Sequence, residues 1–202
     1  MLTTVMLTTA KTSESITPEE YLEGERYSEV RHEYVEGRVY AMAGASDDHN
    51  RIVRNILSSL HNVLRGGPCE PFAIDMKVKI PPRFADVYYY PDVLVACDES
   101  DNATYFRERP SVILEVLSPE TERTDRREKA FAYRHIETVK VYALVEQDRI
   151  AITVLRQASE GWAKEVIEGP NAVLKLPEIG FEIPMSRIYE RTAAAKLPGT
   201  SA

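Results

Sequence analysis

Two stretches in the middle of the chain decide the fold, residues 88–99 (YYYPDVLVACDE) and residues 111–119 (SVILEVLSP). Each contains a continuous apolar run, which is typical of a strand buried on both faces of a sheet. Each run also carries one acid, Asp92 after a proline in the first and Glu115 inside the second. We therefore predict that the two strands form the centre of a sheet and bring two carboxylates into its interior.

Helix and turn signals precede these strands. Residues 17–20 (TPEE) predict a capped helix that runs to about Tyr27, and the alternating residues 32–43 predict a hairpin with a tight turn at Glu36-Gly37. A second helix is predicted from the capping residues 46–48 to Gly66-Gly67, because its apolar residues recur at helical spacing. Extended segments are expected at about Cys69–Ile80, Tyr88–Cys97 and Ser111–Leu117.

The second half of the chain continues the same alternation. An amphipathic helix is predicted within residues 121–137 (TERTDRREKAFAYRHIE), a strand at Val139–Glu146, and a hairpin from RIAITVLRQ and GWAKEVIEG around residues 158–161. The predicted architecture is α/β (α+β), a mixed central sheet flanked by helices with added hairpins. The predicted division of the chain is a flexible leader (1–15), a single domain (16–190) and a flexible tail (191–202).

Composition excludes several classes of protein. The 202 residues suit one domain and carry a net charge of −7, which disfavours general adhesion to nucleic acid. No apolar run is long enough for a membrane span and the amino terminus lacks a secretory signal, so the expected setting is the cytoplasm, with no membrane partner. Cys69 and Cys97 are far apart and form no CxxC pair, which predicts neither a disulfide framework nor a zinc site.

Acids on core strands need a partner, because burying an unpaired carboxylate costs several kcal/mol. Asp92 and Glu115 at neighbouring strand ends could share a divalent cation such as Mg²⁺, which is often held by one or two carboxylates and substrate phosphates. This is the arrangement of a phosphodiesterase. The alternative is structural: Asp92 caps a turn, and Glu115 pairs with Arg107 or Arg109.

A lysine on the following helix completes the candidate site. Asp125, Lys129 and Tyr133 are spaced four residues apart and therefore share one helix face. If that face points toward the acids, Lys129 could orient or help to deprotonate an attacking water, or stabilise charge that develops on a phosphate. The alternative is a surface ion pair between Asp125 and Lys129, worth a few tenths of a kcal/mol.

Three sequence blocks resemble one known family: YYYPDVLVACDE, then YFRERPSVILEVLSPETERTDRREKAFAYR, then VYALVEQDR. The chain is similar, from about Thr17 to Tyr189, to the Uma-type "putative restriction endonucleases" of the PD-(D/E)XK nuclease superfamily. The resemblance implies a restriction-endonuclease-like core in which Asp92 and Glu115 bind Mg²⁺. If the protein is an enzyme, we expect the main-chain carbonyl of Val116 to be a further metal ligand, with Mn²⁺ as a substitute for Mg²⁺. The superfamily lysine usually lies two residues after the second acid, where this chain has Leu117. In the family that lysine is displaced to the next helix, at the position of Lys129.

Other positions match the family less decisively. Glu33, in RHEYVEGRVYAMAG, matches an acid that could complete the metal shell or hold a bound water. His49 also matches a family position, but a histidine at a helix start beside two aspartates is as easily structural, and we do not predict a catalytic role for it. Val141 departs from the pattern, since similar sequences often carry an acid there, which puts one outer contact in doubt.

The expected function is that of a Mg²⁺-dependent endonuclease acting on DNA, with Asp92, Glu115 and Lys129 as catalytic residues and Glu33, Asp125 and Tyr133 as additional candidates. One alternative is a binding or regulatory module that keeps the nuclease fold without turnover, which the acidic net charge favours. Another is hydrolysis of a nucleotide or other small phosphoester. A homodimer is expected, because cutting both strands of a duplex gains from two symmetry-related sites.

Overall fold

The computed structural model describes residues 15–42, 44–81, 86–119 and 121–196. Almost all of the predicted leader therefore lies outside the described residues. The helices are α1 (Pro18–Glu25), α2 (Asp47–Leu64), α3 (Glu122–Thr124), α4 (Ala130–Tyr133) and α5 (Met185–Ile188), and a π-helical turn (Asp125–Lys129) joins α3 to α4. Short 3₁₀ turns lie at Pro177–Ile179 and Ala194–Lys196.

The strands form three sheets. Their bounds are β1 (His32–Val35), β2 (Arg38–Ala41), β3 (Glu70–Ala73), β4 (Lys77–Ile80), β5 (Val87–Tyr89), β6 (Val93–Ala96), β7 (Phe106–Arg107), β8 (Pro110–Val116), β9 (Val141–Val145), β10 (Ala151–Ala158), β11 (Gly161–Glu168), β12 (Val173–Leu176) and β13 (Phe181–Pro184). The largest sheet has the order β11-β10-β9-β8-β6-β3, and its β8–β9 pair is parallel. A five-stranded sheet has the order β2-β1-β5-β4-β7, and β12 pairs with β13. The predicted mixed sheet flanked by helices is confirmed.

Local signals place the first elements as predicted. Thr17 caps α1, where its side chain accepts a hydrogen bond from the Glu20 amide and Glu20 binds the Thr17 amide in return. The turn between β1 and β2 uses Glu36 and Gly37, both at positive φ. Ser46 caps α2, as its serine hydroxyl accepts the His49 amide.

Two expected extended segments are each divided between the sheets, which corrects the sequence prediction. Cys69–Ile80 contains β3 in the six-stranded sheet and β4 in the five-stranded sheet, and residues 88–97 are divided in the same way between β5 and β6. The chain turns at Ile74, whose φ is 59°, and at Pro91, which cannot donate a hydrogen bond to a sheet ladder. Asp92 therefore lies at the corner where the two sheets meet.

The predicted absence of a disulfide is wrong. Antiparallel pairing of β3 with β6 aligns Glu70 with Ala96, so the next pair outward is Cys69 and Cys97, and these two form a disulfide across 28 residues of sequence. The distance along the chain is not informative here, because strand pairing brings the thiols together.

The start of the predicted tail is packed against the domain, since Thr192 and Ala194 are buried.

Two core clusters lie on opposite faces of the six-stranded sheet. On β8, Val112, Leu114 and Val116 face α2, whereas Ile113 and Leu117, the residue directly after the strand, face the cluster that contains Tyr133. Because side chains alternate along a strand, Glu115 points to the Tyr133 side. No helix among the described residues is long and apolar enough to cross a membrane.

Candidate active site

The two acids from the core strands lie side by side. In the antiparallel β6–β8 pair Val93 aligns with Leu114, so Asp92 and Glu115 are the next residues opposite one another. Two hydrogen bonds join them: the Asp92 amide donates to Glu115 Oε2 (3.1 Å), and the Val116 amide donates to Asp92 Oδ2 (2.7 Å). Both carboxylates are thus fixed at one corner of the sheet by main-chain donors.

Glu115 is buried and is held by two side chains from the helix that follows it. Lys129 Nζ lies 3.3 Å from Glu115 Oε1, and the Tyr133 hydroxyl donates to the same oxygen at 3.2 Å. The structural alternative for Glu115 fails, because Arg107 donates to main-chain carbonyls and Arg109 pairs with Asp98 instead. The helix face predicted from sequence does point at the acid.

Lys129 lies between three carboxylates. Its Nζ is 2.8 Å from Glu33 Oε1 and 3.4 Å from Asp125 Oδ1, in addition to its contact with Glu115. Asp125 and Lys129 are buried, so their contact is not the solvent-exposed pair of the alternative reading. The three acids come from three separate elements, and Lys129 is the point where they converge.

A wider helical turn positions this lysine. Residues 125–129 form a π-helical turn between α3 and α4, where the sequence predicts one continuous amphipathic helix. Such turns are rare and occur often at functional sites. The Tyr142 hydroxyl from β9 donates to the Asp125 carbonyl at 2.9 Å and thereby supports the turn. Val141 packs in the core cluster on the opposite face of the sheet, away from the site.

Glu33 reaches the site from the five-stranded sheet. It lies on β1, and its Oε1 accepts the Tyr90 amide at 3.3 Å, two residues before Asp92. Sequence alone predicted Glu33 only through family resemblance, since β1 is far from the acids along the chain. Pairing of β1 with β5 supplies the missing proximity.

His49 contacts Asp92, a neighbour that sequence analysis did not predict. Its Nε2 lies 3.2 Å from Asp92 Oδ2, while its Nδ1 is buried and has no hydrogen-bond partner among the described residues. Burial acts to lower the His49 pKa, but the hydrogen bond and charge of Asp92, together with the charge of Asp125, raise this pKa above its usual value. The sequence signal that could have pointed to this contact is the position of His49 in the first turn of α2, three residues after the capping residue Ser46.

Burial and mutual charge perturb the titratable groups. Burial raises the pKa of Glu115 well above its usual range, and it also raises the pKa of Asp125. For Lys129, burial acts to lower the pKa, but Glu115, Glu33 and Asp125 together raise it well above the usual value. These carboxylates therefore favour the ammonium form of Lys129.

The donor set fits a hard divalent cation in part. Among the residues described, no group of three or more histidine, cysteine, aspartate or glutamate side chains is arranged so that it could hold a metal ion. Magnesium, however, is often bound by one or two carboxylates with waters and substrate phosphates. Glu33, Glu115 and Asp125 lie within ion-pair distance of Lys129, and Asp92 is hydrogen-bonded to Glu115 and contacts His49, so acids outnumber the basic groups of this site.

Comparison with known proteins identifies the family. The family model described as "Uma2: Putative restriction endonuclease" matches residues 18–186. The chain belongs to this family. It is 34% identical over 180 residues to "Uncharacterized protein slr1290" of Synechocystis sp., covering 88% of this chain and 93% of that protein. It is 30% identical over 168 residues to "Uncharacterized protein sll1609" of the same organism, and this match covers 81% of this chain and 94% of that protein.

A solved structure supports the fold of this Uma2 family member. The crystal structure of "a putative nuclease belonging to DUF820" from Anabaena variabilis superposes with a TM-score of 0.68. The match covers 86% of this chain and 97% of that chain at 19% sequence identity, a level that supports the fold alone. The predicted family and its nuclease-like fold are thus confirmed.

Proposed function

We propose that this protein is a metal-dependent endonuclease that hydrolyses phosphodiester bonds in DNA. The observation that carries the proposal is the convergence on Lys129 of Glu33, Glu115 and Asp125, with Asp92 hydrogen-bonded beside Glu115. A buried cluster with more acids than cations is costly for a purely structural core, since buried ion pairs seldom stabilise more than apolar packing does. Binding of a cation and a phosphate would explain why the chain keeps this costly cluster.

The proposed cation is Mg²⁺, with Mn²⁺ as a substitute, and its proposed ligands are Asp92, Glu115 and the main-chain carbonyl of Val116. Bound there, such an ion would polarise a phosphoryl oxygen and lower the pKa of a bound water. Asp92 and Glu115 are already held in place by main-chain hydrogen bonds, so the chain orients both carboxylates before any ligand binds.

Lys129 has the proposed role of orienting the attacking water and stabilising negative charge on the phosphate. Because its pKa is raised, its ammonium keeps its protons and the water must lose its proton to another acceptor. Glu33 and Asp125 have the proposed role of fixing the position of the ammonium. Tyr133 donates to Glu115 Oε1 and restricts the rotation of that carboxylate.

Plasmid nicking tests the proposal. Purified protein should convert supercoiled DNA to the nicked or linear form with Mg²⁺ or Mn²⁺, and Asp92→Asn or Glu115→Gln should lower the rate by about 100-fold or more. The matched controls are Glu165→Gln and Glu182→Gln, which change exposed acids on β11 and β13. Equal cleavage by site and control variants would identify a contaminating nuclease and overturn the proposal.

The second candidate is a binding or regulatory module without turnover. The observation that favours it is that Glu33, Glu115 and Asp125 each have an ion-pair partner within the protein, Lys129. Titration calorimetry with Mn²⁺ separates the two functions. Heat that disappears in Asp92→Asn supports the nuclease, whereas no heat in the wild-type protein supports the module.

The proposed assembly is a homodimer and the proposed location is the cytoplasm. Two copies related by a twofold axis would present two sites to the two strands of a duplex. Sedimentation of the purified protein tests the assembly. In a reducing cytoplasm Cys69 and Cys97 would be thiols, and the strand pairing around them still holds β3 against β6 through main-chain hydrogen bonds.

A further inference from the structure

A cavity of about 750 Å³ lies along α2 and is lined by four basic side chains: Arg51, Arg54, Arg191 and Lys196. Two of them are on the helix, and two come from the chain segment that follows α5. Asp47 is the acid in the lining. The local excess of positive charge contrasts with the net charge of −7 for the whole chain.

Three of these four cations form no ion pair with a carboxylate among the described residues. Arg51 pairs with Asp47 and Asp48 and is thereby held in place. Within the described ranges, Arg54, Arg191 and Lys196 have no carboxylate at ion-pair distance, and all three are exposed. Three unpaired cations facing one cavity are arranged for an anionic ligand with more than one charge.

The cavity adjoins the candidate active site. Ile74 lines it, and the Ile74 amide donates to the Asp92 carbonyl at 3.3 Å. Ile74 is β-branched, half exposed and has a φ of 59°, a conformation that such residues rarely adopt and that is enriched at functional sites. The helix that supplies Arg51 and Arg54 also supplies His49, which contacts Asp92. One helix and one strained corner therefore connect the cations to the acids.

We infer that this cavity binds the phosphate backbone of the nucleic acid strand on one side of the scissile phosphate. This inference rests on the proposed nuclease function and adds a substrate-binding site to it. Arginine forks and a lysine ammonium match successive phosphate oxygens, and such contacts fix the register of a strand without reading its sequence. An acidic protein segment is the competing ligand, and the experiment below distinguishes the two.

Binding measured without cleavage tests the inference. Fluorescence anisotropy of a labelled DNA duplex, with EDTA present, is recorded for the full-length protein and for Arg54→Gln/Arg191→Gln/Lys196→Gln. The control, Arg38→Gln/Lys164→Gln/Lys175→Gln, removes the same charge from exposed strand positions that do not line the cavity. Three lost phosphate contacts should reduce the salt slope by about 2.7, so that the loss of affinity between about 50 and 200 mM salt shrinks by about 40-fold.

The outcomes separate this inference from the proposed function. A reduced slope in the cavity variant alone supports the cavity, whether or not the wild-type protein cleaves DNA. Equal slopes in all three proteins, equal losses in both variants, no binding by the wild-type protein, or competition by polyglutamate but no DNA binding would each overturn it. If both variants cleave DNA with Mg²⁺ at unchanged KM, the inferred phosphate-binding role of the cavity is overturned while the nuclease proposal stands.

Discussion

Replacing Lys129 with methionine should destabilise the protein strongly at neutral pH. The substitution keeps the length of the side chain and removes an ammonium that is 7% exposed and lies 2.8, 3.3 and 3.4 Å from three carboxylate oxygens. Removing one partner of a buried ion pair leaves uncompensated charge and typically costs about 3–5 kcal/mol. Because three acids lose the same cation, we expect a loss in the free energy of unfolding toward the upper end of that range.

The loss should depend on pH in a definite direction. Burial already raises the pKa of Glu115 well above 4.5, and removal of Lys129 takes away the charge that opposes this rise. A carboxyl whose pKa is higher in the folded than in the unfolded state binds more protons when folded, so stability increases as pH falls. The cost of Lys129→Met should therefore shrink between neutral pH and pH ~5.

Urea unfolding at two pH values measures this difference. Lys164→Met is the matched control, because Lys164 is exposed on β11 and should change the free energy of unfolding by less than about 0.5 kcal/mol. A cost for Lys129→Met below about 1 kcal/mol at neutral pH, or one that does not change with pH, would refute the buried charge cluster. Secondary structure by circular dichroism checks that both variants fold.

Three further substitutions or treatments have signs that follow from the structure. Asp125→Asn should raise the Tm of the metal-free protein, since burial raises the Asp125 pKa and thus disfavours the charged carboxylate in the folded state; a lower Tm would contradict this. Ile74→Asn should also raise the Tm, because asparagine adopts a positive φ at a cost about 1 kcal/mol lower than a β-branched residue does, and the isoleucine side chain is half exposed. An unchanged Tm would show that the backbone at position 74 is unstrained. Reduction of the Cys69–Cys97 bond, which closes 28 residues, should cost about 3–4 kcal/mol in urea unfolding, and Cys69→Ala/Cys97→Ala should be insensitive to reductant.

Elements with local signals could be predicted from the sequence. The capping box of α1, the turn of the β1–β2 hairpin and the cap of α2 each depend on residues within a few positions of one another. The central strands could also be predicted, because continuous apolar runs indicate burial on both faces. Their division between two sheets could not, since residues 69–80 and 88–97 read as unbroken extended segments, and the turns inside them depend on which sheet each half joins.

Within the candidate site, too, contacts with local sequence signals could be predicted, and contacts that depend on packing between distant elements could not. The positions of Asp92 and Glu115 were predictable because an acid inside an apolar strand needs a partner, and helical spacing placed Asp125 with Lys129. The contact between His49 and Asp92 was not, because it depends on how α2 packs across the sheet. The Cys69–Cys97 bond, which depends on strand register, and the cavity, which brings residues of the predicted tail against α2, were unpredictable for the same reason.

Moving the lysine from position 129 to position 117 tests whether the site needs its cation on the helix. Leu117 is two residues after Glu115, on the same face of the sheet, and packs in the cluster that contains Tyr133. A lysine at position 117 would keep an apolar stem in that cluster and carry its ammonium toward the same acids. If the site requires a cation near Glu115, and not Lys129 in particular, Leu117→Lys should compensate for Lys129→Met.

The expected results of this double change have two independent readouts. Lys129→Met alone should lower the nicking rate by about 100-fold or more, and adding Leu117→Lys should recover at least about tenfold of that loss. It should also recover part of the lost free energy of unfolding, which tests charge compensation without reference to cleavage. Leu117→Met in the same background is the control and should recover neither. A folded double variant that gains no stability over this control would show that the carboxylates accept a cation only from the helix side, where the π-helical turn holds Lys129.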